Sequence, residues 1–224
     1  MREFQKAVAV FDLDRTITRF GTFSPFLLYS AANRPWRYLY VPLVVTLVLL
    51  HKAGWIARPR LKEFMLIMIA GRRRDEIAER SRKFATFLID RCLRPQARAA
   101  IDKHKEAGHL LILVTASMDF YAEEIGRQLG FHETVATPAV WDKEDRLSSK
   151  LGGENCYGDA KLRYLAARVV ELDGKLAGFD RYAYTDHTSD APLLEWATKP
   201  QVVHPKKNMQ AMAEKLGYPI LDWD

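Results

Sequence analysis

The stretch Ala7–Thr18, AVAVFDLDRTIT, constrains this chain more than any other. Ala7 to Phe11 form an unbroken apolar run, the pattern of a central parallel strand buried on both faces. The run ends in two carboxylates one residue apart, Asp12 and Asp14, with Thr16 following. Open α/β sheets bind ligands beyond the carboxyl ends of their strands. Two like charges so close repel unless a cation or a shared proton intervenes. A hard divalent ion with oxygen ligands, such as Mg²⁺, is the simplest resolution.

The 224 residues suit one large domain, or a core carrying an insertion. With 48% apolar and 28% charged residues the chain can bury a substantial core, which excludes a disordered chain. Two cysteines, Cys92 and Cys156, make no disulfide framework and fit a reducing compartment. The N-terminus runs straight into the first strand with no cleavable signal, so a cytoplasmic location is expected. The net charge of +6 is unevenly spread: residues 18–91 hold 14 Lys/Arg against 5 Asp/Glu. No nucleic-acid-binding motif accompanies that basic segment, so nucleic acid is not an expected partner. A phosphate-bearing substrate, an anionic membrane surface or solvated helix faces account for it equally well.

From Thr18 to about Arg91 the pattern is helical. Pro25–Asn33, Pro35–His51, Arg58–Ala70 and Arg74–Arg91 each read as a helix, with prolines near starts and Gly54 and Gly71 near stops. Tyr38–Leu50 contains no charge over thirteen residues, with Arg34, Trp36, Arg37, Lys52 and Trp55 around it. It is short for a transmembrane span, so a buried helix is expected first and a membrane-touching surface second. In the second case Arg34, Arg37 and Arg72 to Arg74 would meet anionic headgroups. Pro42 would kink that helix or mark its first turn.

From Pro95 strands and helices alternate. Leu110–Val114, Glu133–Thr137, Tyr182–Thr185 and a final Gln201–Val203 read as strands. Gln96–Ala107, Asp119–Leu129, Asp159–Leu172 and Ala191–Thr198 read as helices, and Val140–Leu151 as a surface hairpin. The fold class is therefore α/β, a doubly wound parallel sheet with an all-helical insertion after the first strand. Residues 1–17 and 92–224 would form the core, and 18–91 a cap.

Three candidate sites follow predicted strands: Asp12/Asp14/Thr16, Thr115-Ala116-Ser117, and Thr185-Asp186-His187-Thr188-Ser189-Asp190. A fourth, Lys161, opens a helix. Each alone could serve as a helix cap or a solvated residue. Small hydroxyl residues at a strand end can hold an anion on backbone N–H groups. Appearing together, in order and at strand ends, the four read as one functional site rather than as separate caps.

That order and spacing resemble the four motifs of the haloacid-dehalogenase-like hydrolase superfamily, in its subfamily IB, the phosphoserine-phosphatase-like branch, which carries a helical cap after the first motif. The resemblance implies a Mg²⁺-dependent phosphomonoester phosphatase. Asp12 would be the nucleophile forming an aspartyl-phosphate, and Asp14 the acid that protonates the leaving oxygen and then activates water. Thr115, Ala116 and Lys161 would bind the phosphoryl group. Asp12, the Asp14 carbonyl and Asp186 would hold Mg²⁺, with Asp190 and Ser189 supporting them. Arg15 and Thr22 would face substrate from the cap side. Arg15 stands where many relatives have Gly, Thr-Ala-Ser replaces Ser-Gly-Gly, and His187 to Ser189 replace a Gly-rich pattern. These departures argue against assuming phosphoserine. The apolar, basic-flanked cap is similar to that of relatives acting on lipid-linked phosphomonoesters such as phosphatidylglycerophosphate. A small soluble phosphometabolite, of phosphoserine or histidinol phosphate type, is the alternative. A dehalogenase would lack the second acid, and a non-catalytic binding module would be expected to have lost the nucleophile or the metal ligands.

Overall fold

In the computed structural model the structure describes residues 7–171 and 178–224. Six parallel strands form one sheet in the order β3-β2-β1-β6-β7-β8. The central strand β1 (Ala7–Phe11) is buried throughout, as its apolar run requires. It pairs on one side with β2 (Leu110–Met118) and on the other with β6 (Asp180–Thr185). Side chains alternate across a strand. Val8 and Val10 accordingly join one apolar layer with Leu165, Leu194 and Met209, while Phe11 joins the other with Leu113, Tyr184 and Trp223. Beyond them lie β3 (Glu133–Thr137), β7 (Lys199–Val203) and β8 (Ile220–Leu221).

Between β1 and β2 the chain leaves the sheet as a helical insertion. It comprises α1 (Phe23–Ala31), a 3₁₀ turn (Pro35–Tyr40), α2 (Val41–Lys52), α3 (Arg58–Leu66) and α4 (Arg74–Arg91). Its two stems are tied together: Thr18 bridges Leu93, and Arg94 N–H donates to the Ile17 carbonyl at 2.9 Å. The return runs through α5 (Pro95–Glu106). Next come α6 (Asp119–Leu129), closed by Gly130 in the left-handed conformation, and the antiparallel pair β4 (Ala139–Trp141) and β5 (Leu147–Leu151). Helices α7 (Asp159–Glu171), α8 (Ala191–Trp196) and α9 (Lys207–Leu216) complete the core; the expected end of the α7 helix at Leu172 lies outside the described residues.

Four expectations change. Pro35–His51 is a 3₁₀ turn followed by a helix, with Pro42 in the first turn of α2, where its missing N–H costs nothing. Tyr38–Leu50 is not buried: no residue of α2 is, because the helix packs on the turn before it and on α3 but not under the sheet. Arg37 and Arg72 are not surface cations. Arg37 is buried and donates to the carbonyls of Ile67, Met68 and Ala70 at the end of α3, while Arg72 is fully buried against the Ser30 carbonyl, Asn33 and Glu76. Finally, Gln201–Val203 is not the last strand. Helix α9 and β8 follow, with Met209 and Ala213 buried on the core side of the helix.

Candidate active site

The strand order reverses between β1 and β6, the place where an open α/β sheet opens a crevice at its carboxyl edge. Asp12 follows β1 and Asp186 follows β6, so the topology alone brings them side by side. The Thr16 hydroxyl spans them, 3.1 Å from Asp12 Oδ2 and 3.5 Å from Asp186 Oδ1. It sits there because residues 13–17 make one tight turn in which Arg15 takes φ +69°. That left-handed conformation is uncommon for a residue with a Cβ. Arg94 stabilises it, donating from Nε to the Arg15 carbonyl at 3.1 Å. The Arg15 side chain itself is exposed.

Lys161, in the first turn of α7, is only 3% exposed. Its ammonium donates to Asp12 Oδ1 at 2.5 Å and to Asp190 Oδ2 at 2.6 Å. Thr185 Oγ1 adds a donor to Asp190 Oδ2 at 2.7 Å, and Ser189 Oγ donates to Asp190 Oδ1 at 3.2 Å. Ser189 N–H donates in turn to His187 Nδ1 at 3.0 Å. Burial pushes the Asp12 carboxyl up to about 8; Lys161 opposes this, while Asp190, Asp186 and Asp14 add to it by repulsion. Burial acts against the Lys161 charge too, but Asp12 and Asp190 hold it above the usual lysine range. Burial likewise raises Asp186, against the pull of His187.

Asp14 lies on the other side of the turn, and both its oxygens are taken. Oδ1 accepts from Thr22 N–H at 2.6 Å and Thr22 Oγ1 at 2.7 Å, and Oδ2 accepts from Ser117 Oγ at 2.9 Å. Thr22 Oγ1 also lies 3.2 Å from the Tyr121 hydroxyl. Thr22 thus turns its N–H and its hydroxyl to Asp14, while its carbonyl accepts from Phe26 N–H at 3.0 Å. Thr115-Ala116-Ser117 lies inside β2 rather than after it, which corrects the expected end at Val114. The pairing jumps from Val114–Val135 to Met118–Thr137, so the three residues bulge away from β3. Bulges of this kind re-aim side chains beside functional sites. The Thr115 hydroxyl is fully buried and accepts from Ser117 N–H at 3.0 Å.

One participant escaped the sequence reading. Lys62 of α3 is buried and donates to the Ala116 carbonyl, to Asn155 Oδ1 at 2.7 Å and to Thr137 Oγ1 at 3.2 Å. It ties the insertion to the bulge of β2. Burial pushes its ammonium down to about 8, with Asp14 opposing. Its only sequence signal was a lysine among apolar positions of a helix, which also describes many solvated residues.

Among the described residues no three His, Cys, Asp or Glu side chains gather into a metal cage. What the site offers is two buried carboxylates, Asp12 and Asp186, bridged by the Thr16 hydroxyl. Asp186 makes no ion pair among the described residues, and its one hydrogen-bond contact is the 3.5 Å contact with Thr16. A buried carboxylate left so is costly, and an all-oxygen set completed by water and substrate suits Mg²⁺. The residues therefore fit a hard divalent cation.

Strand-end carboxylates at the switch point of a parallel sheet, with a buried lysine between Asp12 and Asp190 and a helical insertion after the first strand, mark a doubly wound α/β fold whose carboxyl edge carries the site. The haloacid dehalogenase-like hydrolase profile matches residues 9–195, and the chain belongs to that family. Histidinol-phosphatase of Neisseria meningitidis is 23% identical over 72% of this chain and 73% of its own length. Phosphoserine phosphatase SerB1 of Mycobacterium tuberculosis is 25% identical over 97% of this chain and 71% of its own. The crystal structure of a Bordetella pertussis protein of unknown function superimposes with a TM-score of 0.87 at 25% identity, covering 98% of this chain and all of that one.

Proposed function

We propose that this protein is a Mg²⁺-dependent phosphomonoester phosphatase working through an aspartyl-phosphate. The observation that carries the reading is the Lys161 ammonium held between Asp12 and Asp190 at the strand-order reversal. Residues 18–91 act as the cap over a core of residues 1–17 and 92–224.

Asp12 attacks phosphorus, and the bond to the ester oxygen breaks as Asp14 gives that oxygen a proton. Asp14 then takes a proton from the water that attacks the Asp12 phosphoryl group, releasing phosphate and restoring the carboxylate. Splitting the hydrolysis lowers each barrier, and phosphoryl transfer needs chiefly positioning and charge neutralisation. Lys161 and the Thr115–Ala116 segment hold the phosphoryl oxygens. Asp190 keeps Lys161 charged and aimed, and Ser189 steadies Asp190. Thr22 and Ser117 orient the Asp14 carboxyl, and Arg15 guards the entrance. Asp12, Asp186 and the Asp14 carbonyl would hold Mg²⁺, whose charge would favour ionised Asp12 and offset the phosphoryl oxygens.

The substrate class is a lipid-linked phosphomonoester, of phosphatidylglycerophosphate type; the exposed apolar surface of α2 supports this. Small soluble esters are the second reading, favoured by the relatives named for phosphoserine and histidinol phosphate.

The test is Asp12→Asn. It should abolish phosphate release and trapping of an acyl-phosphate while the circular dichroism stays native. Normal turnover in that variant would falsify the nucleophile assignment. A panel of phosphatidylglycerophosphate, lysophosphatidate, phosphoserine, histidinol phosphate and glycerol phosphate, compared by kcat/KM, decides the substrate class.

A further inference from the structure

Helix α2 leaves an apolar face uncovered. Val41, Val44, Leu47 and Val48 turn toward the body of the insertion, whereas Pro42, Leu43, Val45, Thr46, Leu49 and Lys52 are exposed. Leu49 is 60% exposed, and Leu39 just before the helix 80%. A helix on the surface of a water-soluble protein turns polar side chains outward. Here the outward face offers one charge and one hydroxyl, and Thr46 Oγ1 already donates to the Pro42 carbonyl at 3.0 Å. Exposed tryptophans stand near both ends, Trp36 ahead of the helix and Trp55 just beyond it at 80%.

The segment that carries this face has charges of one sign. No Asp or Glu occurs between Asp14 and Glu63, while eight Lys or Arg do. Some of these are spent: Arg37 is buried on carbonyls, Arg34 pairs with Glu76, and Arg60 with Glu63. Lys52 at the end of α2 and Arg58 beyond it, both exposed, make no ion pair among the described residues.

We propose that this face docks on an anionic bilayer surface. Leu43, Val45 and Leu49 would sink to the boundary of headgroups and acyl chains, Trp36 and Trp55 would lie at headgroup level, and Lys52 and Arg58 would meet anionic lipid. The twelve residues of α2 span about 18 Å at 1.5 Å per residue, too short to cross the hydrocarbon core. Among the described residues no helix is long and apolar enough to do so. The helix therefore lies along the interface. A second copy is a poorer occupant, since a two-fold contact would bring two sets of the Lys52 and Arg58 cations to one interface.

The docking face borders the candidate site. The Arg58 guanidinium lies 4.0 Å over the Tyr157 ring, and that ring is 6.1 Å from the ring of His187, the neighbour of Asp186. Docking would hold the site beside the headgroup layer, a consequence that rests on the reading of Asp12 as the reaction centre. Docking itself does not.

The experiment is sedimentation of the full chain with phosphatidylcholine vesicles, with and without phosphatidylglycerol. Wild type should bind the anionic vesicles and release them as salt rises. Leu43→Glu/Leu49→Glu should weaken binding by more than about tenfold with an unchanged melting temperature, because both positions are exposed. Lys52→Glu/Arg58→Glu should remove the preference for phosphatidylglycerol. Brominated lipid should quench the tryptophan fluorescence, and Trp36→Phe/Trp55→Phe should abolish that quenching. Three results would overturn the proposal: no binding by folded wild type, equal binding by the Leu43/Leu49 variant, or a dimer in light scattering that this variant dissolves. Asp12→Asn should bind as wild type does, which separates the two readings. Vesicle binding without phosphatase activity removes only the reaction; activity without vesicle binding removes only the docking.

Discussion

Lys161 meets Asp190 Oδ2 at 2.6 Å, and neither side chain is more than 3% exposed. Asp190 is thus the second counter-charge of a lysine whose other partner is Asp12, the nucleophile proposed above. Asp12, Asp190 and one ammonium share this buried space, so removing the ammonium takes from both carboxyl groups their common hydrogen-bonding partner. Truncating one partner of a buried ion pair costs about 3–5 kcal/mol. Lys161→Met should accordingly lower the melting temperature and reduce kcat by at least about 10²-fold, as loss of a preorganised charge does. Asp190→Asn should do the same more mildly, since Thr185 Oγ1 and Ser189 Oγ retain a hydrogen-bonding partner there. Thermal melting beside steady-state phosphate release checks both; unchanged kcat in Lys161→Met would remove lysine from the chemistry.

Thr22 contributes two of the three hydrogen bonds on Asp14. Thr22→Val deletes the hydroxyl and keeps the shape, so the carboxyl loses one of the donors that orient it. A drop in kcat of roughly tenfold is expected, part of the ~10²–10⁴ that a well-placed acid–base group supplies. KM should move little, and Thr22→Ser should restore kcat. A Thr22→Val variant altered only in KM would instead place Thr22 on the substrate.

Much of this arrangement was legible in the sequence because it is local. An apolar run ending in Asp12-Leu13-Asp14 fixes both the central strand and the edge where chemistry gathers. Gly130 and Gly217, each in the left-handed conformation, mark the ends of α6 and α9. What escaped is what hydropathy cannot distinguish. An uncharged helix reads alike under a sheet or in the open, so Tyr38–Leu50 was expected inside, whereas α2 has no buried residue. Arg37 and Arg72 look like surface cations until the backbone carbonyls they cap are in place. The bulge at Thr115–Ser117 depends on β3 pairing, and the partners of Lys62 lie 54 to 93 residues away in sequence.

Lys62 joins the insertion to the core, and its removal tests that tie. In Lys62→Met the single Thr137 hydroxyl proton cannot serve both the Ala116 carbonyl and Asn155 Oδ1, so one buried acceptor is left unpaired. That costs about 1–3 kcal/mol, against which the relief of a buried ammonium works. The balance is pH-dependent. The folded group sits at about 8, against 10.5 for an ordinary lysine, so between those values the unfolded chain holds the proton more firmly. Stability therefore rises with pH across that window in wild type. Urea titrations at pH 7.5 and 10 should show wild type gaining on Lys62→Met as pH rises; a constant gap would mean that the ammonium is not desolvated.

His104 makes the acid side testable away from the site. It is buried, with Nε2 2.8 Å from the Tyr184 hydroxyl and Nδ1 2.7 Å from His109 Nδ1, beneath the edge of the Phe11 ring. Burial first, then repulsion from His109 and Lys103, pushes it down to about 4 from an ordinary 6.5. Between those values the unfolded chain takes up a proton that the folded one refuses. Stability is thus unaffected by His104 above about pH 6.5 and declines as pH falls toward 4. Carboxylates that titrate in the same range add their own slope, so the comparison must be with His104→Gln, which can still hydrogen-bond but cannot charge. Melting temperatures from pH 7.5 to 4.5 should fall less steeply in His104→Gln than in wild type. Parallel slopes would mean that His104 takes up its proton in the folded chain as readily as in the unfolded one, and that the acid limb belongs wholly to the carboxylates.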